Sequence, residues 1–146
     1  MTLTEENYEE VINSYNKQDW QQLLDLIPEI ENTSKFGELA GLEKDENGVM
    51  TMPFIKEEPI VIRFHYIVSE LPIMICFDWI NWSKSMQKVK DNNFDFNTID
   101  IPTKCKLITA IVRQNRFHDG ALVSAFESGL ILKILKSIQK QIGVFK

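Results

Sequence analysis

A mainly α (α+β), compact bundle of about six or seven helices with one small β-hairpin at roughly residues 38–54 is the fold this sequence predicts. Three observations predict it. Apolar residues recur at helical spacing along most of the chain, most densely in L-I-T-A-I-V-R-Q-N-R-F-H-D-G-A-L-V-S-A-F-E-S-G-L-I-L-K-I-L (107–135). Three of the six glycines, Gly37, Gly41 and Gly48, fall in one region that Pro53 and Pro59 close, and D-E-N-G (45–48) within it carries a hairpin signal. The 146 residues, 44% hydrophobic and 25% charged, read as a single domain, 1–146, able to bury a core without a disulfide or metal.

Residues 4–16 begin the helical part. Thr2 or Thr4 is the expected N-cap, and Glu5, Glu6, Glu9 and Glu10 suit the positive end of the helix dipole. Tyr8, Val11, Ile12 and Tyr15 form a narrow apolar stripe. Asp19 is expected to cap a second helix, with Trp20, Leu23, Leu24 and Ile27 on one face and its end before Pro28. The two make an αα-hairpin. Beyond them, Leu39–Glu43 and Val49–Phe54 flank the Asn47-Gly48 pair as strands, a hairpin too small to stand away from the helices.

The run I-V-I-R-F-H-Y-I-V-S-E-L (60–71) is rich in β-branched residues. Its length between Pro59 and Pro72, with a proline at a helix-start position, nevertheless predicts a helix with Ile60, Phe64, Ile67 and Leu71 on one face. Asp78 is expected to cap a helix over 79–90, and D-N-N-F-D-F-N-T (91–98) is a loop. Asp100 caps a helix over 101–116, with Pro102 tolerated in its first turn. Ile101, Cys105, Ile108 and Val112 fall in line there; Asn115 lies inside the apolar arc, Arg116 at its edge and Arg113 further round. Asp119-Gly120 supplies a turn and cap, 120–128 a short helix, and Gly129 a break. The last helix sets Ile131, Ile134, Leu135, Ile138 and Ile142 opposite Lys133, Lys136 and Lys140.

Net charge is −5 and unevenly spread. Residues 101–146 hold eight Lys or Arg against Asp119 and Glu127, a net +6, which leaves −11 for residues 1–100. Either the basic third is a surface for an anionic partner, or the acidic part neutralises it within the fold. The opening M-T-L-T-E-E-N-Y-E-E is acidic and polar, which predicts no signal peptide, and apolar runs of about five residues fall short of the roughly 18 that cross a membrane. Cys76 and Cys105, without C-x-x-C spacing, read as reduced thiols of a cytoplasmic protein. No metal or cofactor is expected: two distant His and two distant Cys match no ligand spacing, and no phosphate-binding glycine loop occurs.

The residues T-A-I-V-R-Q-N-R-F (109–117), Gly120, Leu122 and F-E-S-G-L-I (126–131) resemble a bacterial domain-of-unknown-function family with the signature T-A-[IL]-V-R-Q-x-R-F-x-x-G-x-L-x-x-x-F-E-x-G-x-[IL]. F-G-E (36–38), G-V and M-P (48–49, 52–53) and F-D-W (77–79) extend the resemblance over about residues 20–140. It implies a shared fold and a bacterial origin, and brings no activity with it. His118 falls where the signature is open, which counts against a catalytic role.

Arg113, Arg116, Glu127 and Asp78 are the candidate site. Two guanidiniums one helical turn apart can present bidentate donors to a phosphate or carboxylate, with Glu127 orienting them and Asp78 adding a second carboxylate. The architectural reading is that the arginines satisfy a helix C-terminus and pair with Glu127 to hold two helices in register. His118-Asp119 lacks a nucleophile at motif spacing, and Cys105 sits in the apolar stripe, where thiols are inert. Trp79 and Trp82 read as partly buried rather than ligand-stacking.

Three functions follow. The first is a non-enzymatic interaction or accessory protein with an unknown protein partner or self-association through the apolar last helix. The second is a small-ligand-binding protein or an enzyme on an anionic substrate at the arginines. The third, weak nucleic-acid binding through the basic third, is disfavoured by a pI near 5.1.

Overall fold

The computed structural model describes residues 2–41, 43–50 and 52–144, the last without its side chain. It is the expected mainly α bundle, built around α6 (Ile101–Gln114), against which α1 (Tyr8–Asn13), α5 (Trp79–Ser85), α7 (Ala121–Glu127) and α8 (Leu130–Val144) pack. α2 (Lys17–Leu24), α3 (Leu26–Glu31) and α4 (Pro59–Glu70) close the other side. One continuous cluster of buried side chains runs through them, with Leu23, Phe64, Ile108, Leu122 and Ile134 wholly enclosed. Each such side chain stabilises the fold by about 1.5–3 kcal/mol relative to exposure.

Several boundaries differ from expectation, each for a local reason. Leu3 and Thr4 are not helical: they form β1 (Leu3–Thr4), pairing in parallel with β4 (Ile75–Cys76), a sheet that the helical reading of 4–16 missed. Neither Thr2 nor Thr4 caps α1; Asn7 precedes it, and its carboxamide accepts the Thr4 N–H (2.8 Å). Asp19 is not the N-cap of α2 but the third residue of a capping box. Asn16 accepts the Asp19 N–H (2.9 Å) and Asp19 accepts the Asn16 N–H (2.8 Å). Pro28 ends no helix either. The chain turns at Asp25 and Pro28 falls in the first turn of α3, where a missing N–H breaks no bond.

The hairpin forms from β2 (Gly37–Ala40) and β3 (Phe54–Glu57), antiparallel with Leu39 opposite Ile55. The same register continues outward to a bridge between Lys44 and Met50. Leu42 and Thr51, inside the expected strands, lie outside the described residues. The turn is a three-residue one: Gly48 N–H meets the Asp45 carbonyl (3.0 Å), Asp45 N–H the Val49 carbonyl (2.9 Å), and Gly48 alone takes positive φ (+77°). Asp45 fixes it by accepting the Asn47 and Val49 N–H groups.

α4 spans its expected residues. α5 stops at Ser85 rather than 90, because Ser85 and Gln87 side chains donate to the Trp82 and Ser83 carbonyls, and a 3₁₀ turn (Gln87–Lys90) follows. α6 ends at Gln114. Gly120 precedes α7 with φ +90°, and a Cβ there would lie 3.0 Å from Ile55. The apolar face of α8 is consumed by the core, Ile131, Ile134, Leu135 and Ile138 all being fully buried. Among the described residues no helix is long and apolar enough to cross a membrane.

Candidate functional site

The site is assembled by Thr109, a wholly buried residue one helical turn before Arg113. Its hydroxyl donates to the Cys105 carbonyl (2.7 Å) and accepts the Ile75 N–H (3.2 Å), so a helix side chain takes up a strand donor. That bond seats β4, and with it Cys76, Phe77 and the start of α5, beside the C-terminal half of α6. Between them opens a cleft of about 290 Å³ lined by Cys76, Phe77, Trp79, Arg113, Arg116 and Phe117, among others.

Its aromatic walls are fixed from outside. Phe77 meets the edge of Trp82 (5.6 Å between centroids), and the Lys106 ammonium lies 4.9 Å from the Phe77 ring and 4.6 Å from that of Tyr8. Burial, and then the Glu9 carboxylate to which it donates (3.0 Å), pushes the Tyr8 phenol up to about 12, which keeps it neutral as a partner for the cation. On the far wall the Trp79 and Phe117 rings stand 6.0 Å apart, and Phe117 is 71% exposed.

The structure thus brings Arg113 and Arg116 together in one cleft. Arg113 is half-buried and Arg116 exposed, and the ion pairs formed among the described residues involve neither: they join Lys35 to Glu38, Arg63 to Glu29 and Lys136 to Glu31. Glu127, exposed at the end of α7, does not line the cleft. Asp78 adjoins it but is engaged in capping α5, accepting the Asn81 N–H (3.4 Å) and its carboxamide (2.6 Å).

The fasteners of the bend after α6 are other residues. Asn115 accepts the Leu122 N–H (3.1 Å), capping α7 from the preceding helix, and its Nδ2 donates to Glu57 (3.3 Å). Asp119 accepts the Ile55 N–H and so ties β3 to the bend; it is not the side-chain cap of α7 that its position before Gly120 suggested. The signal for Asn115 was present: an amide inside an apolar arc must find partners there. Nothing in the local spacing marked Phe117 and Trp79 as neighbours.

Chemically, the cleft offers guanidinium donors, aromatic faces and the exposed Cys76 thiol. An anionic group entering it would receive paired N–H donors of the kind Arg presents to carboxylate or phosphate. No carboxylate or imidazole stands among its lining residues to accept a proton. Cys105 is fully buried, and burial pushes its thiol well above the ordinary range. Among the described residues no group of three or more His, Cys, Asp or Glu stands together as a metal site.

Comparison with curated proteins finds no match, and neither does comparison with solved structures. A family model does match, over residues 15–144, taking in α2 to α8, the hairpin and the whole arginine cleft. The chain therefore belongs to the family of unknown function DUF6508.

Proposed function

We propose that this is a small cytosolic bacterial protein that grips a partner rather than transforming a substrate, and that the arginine cleft holds an acidic segment of a partner protein. One observation carries this reading: Arg113 and Arg116 line a cleft walled by Trp79 and the exposed Phe117, and take part in no ion pair among the described residues. Arginine and large aromatics supply most of the energy at protein interfaces, and rings standing beside the guanidiniums shield their bonds to a carboxylate from water. The unpaired cysteines support a reducing compartment, and the resemblance of the C-terminal stretch supports a bacterial source.

Affinity capture from a bacterial lysate with wild-type and Arg113→Glu/Arg116→Glu baits, quantified by mass spectrometry, tests the reading. Partners retained by the wild type and depleted from the reversed bait, with release at high salt, are expected. Identical partner sets on both baits would refute it.

A second reading, pairing of two copies, rests on a different surface. The hairpin arm exposes Leu39, Val49, Met50, Met52 and Phe54, and among the described residues its two strands have no further neighbour in their sheet. Since the apolar face of α8 is buried, association of copies falls to this arm. Sedimentation of wild type against Met52→Lys/Phe54→Lys decides it: a dimer lost in the variant supports pairing, and a monomer at all concentrations removes it.

A further inference from the structure

A second hollow, of about 380 Å³, is distinct from the arginine cleft. It lies on another face of the same end of α6, where Ile111 and Gln114 look toward α7, the start of α8 and the 3₁₀ turn after α5. Its size is at the small end of ligand pockets, which run ~300–1,000 Å³.

The lining divides into two kinds of residue. Val89, Ile111, Ala121, Ala125 and Leu130 give an apolar floor contributed by four separate elements. Lys90 and Lys133 stand at the rim with Ser124 and Gln114, and no Asp or Glu lines the hollow. Neither lysine belongs to an ion pair formed among the described residues, whereas Lys136, one turn along α8 from Lys133, is paired with Glu31. An apolar floor with two cations at its mouth matches one chemistry, a molecule with an apolar body and a single anionic head. Such a ligand would bury its body against the floor and leave its charge between the ammonium groups.

We propose that this hollow is a binding site for a small amphipathic carboxylic acid, separate from the arginine cleft and independent of what that cleft binds. The body is recognised by Val89, Ile111, Ala125 and Leu130, and the head by Lys90 and Lys133. Ser124 and Gln114 add neutral hydrogen-bond donors at the mouth.

Titration calorimetry of the full chain with octanoate tests the proposal, with acetate and octanol as probes that carry the head or the body alone. Octanoate is expected to bind at one site at least about tenfold more tightly than either half-probe. Lys90→Glu/Lys133→Glu, which alters exposed residues only, should weaken octanoate by at least about tenfold with the melting temperature unchanged. Ala121→Trp, at the half-buried edge of the floor, should block binding by filling the hollow. Arg113→Ala/Arg116→Ala should leave octanoate affinity as it is. Absence of saturable octanoate binding overturns the proposal, as does equal affinity in the Lys90→Glu/Lys133→Glu variant. Loss of binding on changing the arginines also overturns it, by placing the acid in the other cleft.

Discussion

The two ends of α6 treat their cations in opposite ways. Near the N-terminal end, Lys104 is fully buried, and its ammonium donates to the Ile99 carbonyl (3.0 Å) and to the Gln141 carboxamide oxygen. Gln141 donates in turn to the same carbonyl (2.9 Å), so loop, α6 and α8 share one closed polar knot. At the C-terminal end Arg113 and Arg116 face a cleft and have no carboxylate partner among the described residues. The lesson is that charge on a helix says little about its use. A buried cation with its donors satisfied is committed to the fold, and a cation in an aromatic cleft without a counter-charge is available to something else.

The largest effect that sharpens this contrast is on the pH dependence of stability. Burial, opposed by the nearby Asp100, lowers the Lys104 ammonium to about 8. Below pH 8 it is protonated in folded and unfolded chains alike, and folding carries the full cost of desolvating the charge. Between pH 8 and the ordinary lysine value of 10.5 the folded chain has released the proton while the unfolded chain still holds it, so this group's contribution to stability rises with pH. Cys105 and Tyr8, both raised by burial, oppose the rise at higher pH and do so in the variant as well, where Cys105 lacks only the lesser lowering that the Lys104 charge gives it. Urea unfolding of wild type and Lys104→Met from pH 7 to 10.5 isolates the effect. The wild type should gain on the variant by on the order of 2–3 kcal/mol across that window. Parallel curves would mean that the charge is not buried, and the contrast between the two ends would collapse.

Next in size is Thr109→Val, which keeps the shape and removes the hydroxyl. The buried Ile75 N–H is left without its acceptor, at a cost of about 1–3 kcal/mol, comparable with other lost buried hydrogen bonds. The urea midpoint should fall and the cleft should lose definition with it, because β4 is what Thr109 seats. A variant as stable as wild type would show that β4 is held by packing alone.

Why the sequence showed some of this and not the rest follows from the range of each interaction. Helical periodicity is local, so α4, α6 and the last helix were legible within a few residues, as was the hairpin. β1 pairs with a strand some seventy residues away, and a two-residue strand leaves no period to read. Lys104 is one of the eight cations of the basic third, although it falls on the apolar arc with Ile101 and Ile108; a lysine at such a position reads as solvent-seeking until its acceptors, Ile99 and Gln141, are known. The arginines were visible as chemistry, but which groups face them was not. Glu127 is near in sequence and does not line their cleft, while Trp79 is distant in sequence and does.

A smaller effect is expected at the bend. Asn115→Ala removes the acceptor that caps α7 from outside and the link to Glu57, and should destabilise by about 1 kcal/mol, the usual worth of an N-cap. Asn115→Asp keeps the acceptor for the Leu122 N–H but turns a donor to Glu57 into a repelling charge. It should therefore recover at low pH, where both carboxyls are protonated, and Asn115→Ala should not. Equal pH profiles for the two would remove Glu57 from the account.

The smallest expected effect decides between the two readings of the arginines. Arg116→Ala deletes an exposed guanidinium, and Arg113→Met keeps the half-buried stem while removing the charge, so packing along α6 is retained. If both groups stand apart from the fold's ion pairs, the double variant should match wild-type stability to within about 0.5 kcal/mol, as ordinary surface substitutions do. Its urea slope should also be unchanged, because unfolding exposes nearly the same surface as in wild type. Had the guanidiniums been fasteners between α6 and α7, each loss would strand a carboxylate and cost about 1–3 kcal/mol. A near-zero result combined with a depleted partner set on the charge-reversed bait would place the arginines in recognition, since no loss of fold could then account for the loss of partners. A large result would move them to the same class as Lys104 and leave α6 with two closed ends.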